Sequence, residues 1–250
     1  MNDSGDGAAY AIFDTAANRK IVGDLRKSGA NIFLFPPLET AKLALNETET
    51  AHFTNLKKID WLIFADVLTV DYFLETLESN AIDFYDLDEI RVCAFGETVS
   101  DRLRFASVHA DVIPAKVGTA EVYAALINYI GEAEIGGLRF FYLTSDSEAS
   151  DLANGLRAKN AEVVELPVYE AVRNETSELI KLKTLLKGGA IDEFILTAPT
   201  DLIALKNYFQ PENLADVLSE IKISASDGVM FQAAKEHDLS RVGFFQTGKS

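Results

Sequence analysis

The chain has 250 residues, 48% hydrophobic and 25% charged, and a formal net charge of −16 from 23 basic and 39 acidic side chains. That suits one large or two small soluble domains with a sizeable core, and no apolar run reaches the roughly 20 residues of a membrane span. The acidic balance argues against a nucleic-acid partner, whose phosphates need a basic face, and against long-range steering of an anionic substrate, although local backbone N–H groups could still hold an anion.

From the N-terminus, MNDSGDGAAYAIFD has no basic region ahead of an apolar one and does not read as a secretory signal. Short β-rich runs then alternate with helical patterns: AYAIFD, NRKIVGDLRKSG, NIFLFP, LTVDYFLETLES, RVCAF and TVSDRLRFAS. Such alternation predicts parallel α/β units. The nearly continuous apolar runs WLIFA and EFILTA suit central strands covered on both faces. Phe73, Leu74 and Leu77, and again Leu202, Leu205 and Tyr208, recur at helical spacing. GEAEIGG (131–137) reads as a loop between helix and strand, and the tail QTGKS (246–250) as frayed. The single cysteine, Cys93, excludes an internal disulfide, reads as a buried structural thiol, and suits a reducing cytoplasm.

The chain also repeats itself. LRKSGANIFLFP (25–36) answers LRAKNAEVVELP (156–167), 131 residues on. IDWLIFADVLTVDYF (59–73) answers IDEFILTAPTDLIAL (191–205) with a slip of one, and IRVCAFGETVSDRL (90–103) answers IKISASDGVMFQAA (221–234). A period this long indicates a duplicated domain rather than a solenoid. The expected fold is α/β: two similar parallel-sheet, flavodoxin-like lobes joined by two crossing strands, with a ligand cleft between them. Proline-bearing FPPLET (35–40) and LPVYEA (166–171) mark the crossings, near 36–38 and 167–170. Lobe 1 is then 1–35 plus 171–250, and lobe 2 is 39–166. A monomer with hinge motion at the crossings is expected.

No metal constellation, P-loop, serine elbow or dinucleotide fingerprint is present, and His52, His109 and His237 are scattered and read as surface residues. What recurs is a strand ending in small or hydroxyl residues at a helix start: FDTAAN (13–18), FADVLT (64–69), FGETVS (95–100), LTSDSE (143–148) and LTAPTD (196–201). Such ends can bind carboxylate or phosphate through free N–H groups and the helix dipole, and open α/β sheets bind ligands there. Plain helix capping by Thr, Ser and Asp accounts for the same residues. Tyr169, at a crossing, is either a packed amphipathic tyrosine or a general acid facing the cleft.

The pattern resembles the uroporphyrinogen-III synthase family over nearly its whole length. LTAPTD (196–201) is similar to that family's second strand–T-S-P–helix turn, with Ala198 in the serine place. PVYE (167–170) resembles its VY segment, AFGETVSDRL (94–103) its glycine turn, and PAKVGTAEVYAAL (114–126) the stretch that follows. FADVLTV (64–70) departs from the first T-S-x-N-G-V turn, placing Ala65 and Asp66 at its start; Val99 and Met230 replace turn threonines, Asp227 a glycine, and Thr144-Ser145 an arginine-glycine pair. An acidic Asp66 at an anion-binding turn would repel a substrate carboxylate.

The resemblance implies cyclisation of hydroxymethylbilane, a linear tetrapyrrole, with inversion of the last pyrrole and loss of water, and without metal or organic cofactor. Tyr169 would assist departure of the hydroxyl. Ala65, Asp66, Gly96, Glu97, Thr98, Thr119, Thr144, Ser145, Thr197, Ala198 and Pro199 would hold the substrate's acetates and propionates, chiefly through backbone N–H groups. No nucleic acid or membrane is implied; transient contact with the enzyme that makes hydroxymethylbilane is. Two other readings stand beside it: a divergent, non-catalytic relative binding a tetrapyrrole or another ligand, and an unrelated two-lobed binding protein. A cleft lined by Asp66, Asp146, Asp201 and Asp227 would favour the non-enzyme reading.

Overall fold

The structure is a computed structural model that describes residues 7–82, 87, 89–145, 151–172 and 175–246. Strands in chain order are β1 (Ala9–Phe13), β2 (Asn31–Phe35), β3 (Thr40–Lys42), β4 (Trp61–Phe64), β5 (Arg91–Ala94), β6 (Arg139–Ser145), β7 (Glu162–Ala171), β8 (Glu193–Leu196), β9 (Lys222–Ala225) and β10 (Val242–Phe244). Helices are α1 (Arg19–Lys27), α2 (Glu47–Thr54), α3 (Val67–Ser79), α4 (Glu97–Phe105), α5 (Thr119–Ile130), α6 (Asp151–Arg157), α7 (Ser177–Lys187), α8 (Pro199–Phe209), α9 (Leu214–Val217) and α10 (Gly228–Glu236). Residues 146–148 of LTSDSE and those beyond residue 246 lie outside the described residues.

The chain forms two compact units, Met1–Glu39 with Arg173–Ser250 (unit 1) and Thr40–Val172 (unit 2). Residues 167–170 lie inside β7, in unit 2. Unit 1 holds the sheet β10-β9-β8-β1-β2 and unit 2 the sheet β3-β7-β6-β4-β5. All pairings are parallel except that of β3, which runs antiparallel to the end of β7. Each parallel pair needs a crossover, and the helices supply it.

Shifting unit 1 by 131 or 132 residues lays β9 on β5, β8 on β4, β1 on β6 and β2 on β7. The two sheets therefore share four strands in one order and differ in the fifth, which adds at opposite edges. Among the described residues one parallel bridge, Cys93 to Val112, stands outside the named strands. Shifted by 131 it becomes Ser224 to Gly243, a pair within β9 and β10. Unit 2 thus keeps one bridge of the fifth strand that unit 1 has in full.

Burial follows the apolar runs. Every residue of β4 and β8 is buried, because helices cover both faces. Trp61, Phe64, Phe73 and Phe140 anchor the core of unit 2, and Phe13, Phe35, Phe194 and Phe209 that of unit 1. Each such ring contributes about 2–3 kcal/mol by leaving water. Cys93 is fully buried in β5, and burial, with Asp111 adding, pushes its thiol far up, so it is an inert core group. His109 is exposed, His52 is half-buried, and so is His237. It caps the end of α10, where burial, and then Lys206, hold its ring neutral down to about pH 4.

Candidate functional site

The chain leaves β4 for β5 on one side, while β6 pairs with β4 on the other. Strand order reverses there, which opens the sheet's carboxyl edge to a ligand in folds of this type. Ala65 and Asp66 follow β4 at this point, and Thr144 and Ser145 end β6.

Asp66 is the N-cap of α3. Its Oδ1 accepts from the Thr69 backbone N–H at 2.8 Å, its own N–H donates to Thr69 Oγ1 at 3.2 Å, and Thr69 Oγ1 donates to its carbonyl at 2.7 Å. This reciprocal box satisfies donors that a helix start otherwise leaves open. The second oxygen, Oδ2, accepts the hydroxyl of Tyr169 at 2.7 Å. Tyr169 is 1% exposed. Its ring stacks on Tyr72 of α3 at 5.5 Å and 23°, and the Tyr72 hydroxyl lies 2.9 Å from Thr40 Oγ1.

A bulge sets this geometry. Thr144 pairs with Pro167, but Ser145 pairs with Tyr169, so β7 slips by one residue between them. The slip puts Tyr169, not Val168, beside Ser145 and re-aims the side chain. Pro167 is tolerated at the irregularity because no ladder N–H is required of it.

The remaining candidates of unit 2 spread along the same edge. Gly96 starts α4 with φ 93°, a left-handed conformation that favours glycine, and no side chain caps that helix. Thr98 is buried in its first turn, and Glu97 pairs with Arg104 at 3.2 Å. Thr119 begins α5 after Gly118, again without a side-chain cap.

Thr197, Ala198 and Pro199 belong to unit 1, at the start of α8. Asp201 folds back on this turn: its Oδ2 accepts from Thr197 N–H at 2.7 Å, Ala198 N–H at 3.0 Å and Thr197 Oγ1 at 3.2 Å. It is 4% exposed, and burial raises its carboxyl against the lowering effect of those three donors. Asp227 likewise caps α10 through the Met230 N–H at 2.9 Å. Of the four carboxylates expected to line a cleft, Asp66, Asp201 and Asp227 bond to their own helix starts, and Asp146 lies outside the described residues.

Sequence reasoning missed Tyr72, Thr69 and the inward turn of Asp201. The D-x-x-T spacing of Asp66 and Thr69 is a readable capping signal; Tyr72 reads only as one more helix-face aromatic. A cavity of about 890 Å³ opens at the opposite, amino end of the unit 2 strands, lined in part by Lys57, Trp61, Arg91 and Tyr129. Large as it is, it contains none of the candidate residues, and strand carboxyl ends are the better guide in this fold class. Among the described residues no group of three or more His, Cys, Asp or Glu could hold a metal ion, and no helix is long and apolar enough to cross a membrane.

Two homologous parallel-sheet units, each with polar side chains gathered where strands give way to helices, define a duplicated α/β protein. The chain belongs to the uroporphyrinogen-III synthase family: the model described as uroporphyrinogen-III synthase HemD matches residues 19–244. The wild-type uroporphyrinogen III synthase of the extreme thermophile Thermus thermophilus has the same fold, with a TM-score of 0.64 at 18% identity over 94% of this chain and 91% of its own. A second structure of Thermus thermophilus uroporphyrinogen III synthase gives 0.62 at 18% identity over 94% and 92%. No curated protein matches the sequence.

Proposed function

We propose that the protein is a uroporphyrinogen-III synthase, a lyase that cyclises hydroxymethylbilane with inversion of the last pyrrole and loss of water. Membership of the family supports this reading. The observation that carries it is Tyr169, in the family's VY segment, with its hydroxyl at the carboxyl edge of the sheet and bonded to Asp66.

Tyr169 gives its proton to the departing hydroxyl, which leaves as water and creates an electrophilic azafulvene. Ring closure through a spiro intermediate follows. The rest of the protein folds the linear tetrapyrrole so that the correct carbon attacks. The start of α4 at Gly96, which no side chain caps, suits a substrate carboxylate, and the start of α5 at Thr119 would take one in exchange for the Glu121 carboxylate beside Gly118. Thr144 and Ser145 complete the proposed contacts in unit 2; at the Thr197–Pro199 turn of unit 1 a substrate carboxylate would have to displace Asp201 from the Thr197 and Ala198 N–H groups. A monomer acting in the cytoplasm, and transient contact with the enzyme that supplies the substrate, belong to the same reading.

A second reading is favoured by one observation. Backbone donors at three helix starts already serve Asp66, Asp201 and Asp227. A relative that binds a tetrapyrrole or another ligand without catalysis would tolerate this. Supplying hydroxymethylbilane in situ and separating the oxidised isomers decides between them: isomer III marks the synthase, and isomer I, the spontaneous product, marks the non-catalytic relative.

A further inference from the structure

We propose that Asp66 is the positioning residue of Tyr169, fixing its hydroxyl and exchanging its proton; this rests on the synthase reading above. The two carboxylate oxygens have different tasks. Oδ1 is held by the Thr69 N–H at 2.8 Å, which stops the group from rotating, and Oδ2 meets the phenol at 2.7 Å. The ring is held on its other side by Tyr72, itself in contact with Thr40. Phenol, carboxylate and helix start therefore form one fixed assembly linking β7 to the β4–α3 turn.

The matching turn of unit 1 lacks this assembly. Ala198 stands where Asp66 does, and Asp201 spends a single oxygen, Oδ2, on Thr197 and Ala198. The counterpart of Tyr169 at 131 residues is Leu38, which has no hydroxyl to offer.

The chemistry gives the pairing a purpose. When the phenol proton passes to the leaving hydroxyl, the carbon–oxygen bond breaks, its electron pair goes to the departing water, and a phenolate remains. An ordinary phenol ionises near pH 10 and an ordinary carboxyl near 4, so a carboxylate carries that charge far more readily. In the reacting state of this proposal Oδ2 carries a proton and donates along the same 2.7 Å contact to the phenol oxygen, which frees the phenol proton for the leaving hydroxyl; Asp66 then passes its proton to the phenolate and is left as the carboxylate, its charge set against the azafulvene cation. The proton released from the pyrrole carbon at ring closure goes back to Asp66 through the Tyr169 oxygen.

The test is steady-state formation of isomer III across pH by the wild-type chain and by Asp66→Asn, which keeps an acceptor for the Thr69 N–H. The expected result is a kcat lowered about 10- to 100-fold with KM within about twofold, as for loss of a proton-transfer partner. The wild-type kcat should fall as pH rises through one ionisation that the variant lacks, while the two melt at similar temperatures. An Asp66→Asn kcat and pH profile matching wild type would overturn the assignment. Isomer I alone from the wild-type chain would overturn the synthase reading and the proton exchange with it, an outcome recognisable because the unaltered chain fails. In that case a slowly exchanging Tyr169 hydroxyl proton, seen by NMR in wild type and lost in Asp66→Ala, would still support the positioning contact, and its absence from wild type would overturn that as well.

Discussion

The turn after β4 and the turn after β8 occupy matching places in the duplication, and both bring a carboxylate to a helix start. They do so from opposite ends of the first turn. After β4 the acid is the N-cap, Asp66, and the third helical position is Thr69; after β8 the N-cap is Ala198 and the acid is at the third position, Asp201. The backbone problem is the same, and either arrangement solves it. The difference lies in what remains. Asp66 has an oxygen left for Tyr169, whereas Asp201 turns inward and is buried. In both halves the acid closes its turn, and in one of them it also bonds a tyrosine of β7.

The largest expected effect breaks that contrast at its functional end. Tyr169→Phe should slow isomer III formation at least about 100-fold, or about 2.7 kcal/mol of barrier, in the coupled assay. The ring still fills its place on Tyr72, so the melting temperature should change little. The next effect is a pH dependence confined to unit 1, where His237 stands at a position occupied in unit 2 by Ala106. Burial lowers the imidazole from 6.5 to about 4, so the folded state keeps the ring neutral. Its contribution is full above about pH 6.5 and is lost as pH falls towards 4, because the unfolded chain takes up the proton first. The stability difference between wild type and His237→Gln, from urea titrations, should shrink by about 1–3 kcal/mol across that window.

Two substitutions test the turns themselves. Asp201→Ala leaves the Thr197 and Ala198 N–H groups without their acceptor and should cost about 1–3 kcal/mol of unfolding free energy. Asp201→Asn should cost less, because it keeps an acceptor oxygen and removes a buried charge. Asp66→Ala should cost about 1 kcal/mol as a lost N-cap and about 1–3 kcal/mol more for the buried Tyr169 hydroxyl that loses its bond to the carboxylate. The smallest effect is the sharpest comparison. Adding Thr69→Asp to Asp66→Ala copies the unit 1 arrangement into unit 2. Stability should recover the lost cap, about 1 kcal/mol relative to Asp66→Ala, while isomer III formation stays slow.

Much of the architecture could be read from the chain alone. The repeat of residues 25–36 at 156–167 and the alternation of apolar runs with helical spacing point to a duplicated parallel α/β fold, which the two sheets and the Thermus thermophilus structures show. The edges were not legible. β3 and β10 are three residues each, too short for a period to register, and the Cys93–Val112 bridge involves a single pair. At the site, Asp66 reads as a foreign charge in an anion-binding turn, because sequence places the residue but not its partner 103 positions away. The bulge that brings Tyr169 beside Ser145 leaves no pattern in PVYE beyond its proline. Asp201 shows the converse: its spacing after Ala198 is a local signal, yet its burial depends on the surrounding core.

The measurement that bears most directly on the central claim is the isomer composition formed by the wild-type chain from hydroxymethylbilane generated in situ. The account predicts predominantly isomer III, at a rate that Tyr169→Phe and Asp66→Asn both reduce. Isomer I alone, from a sample shown to be folded by circular dichroism and a cooperative melt, would contradict it.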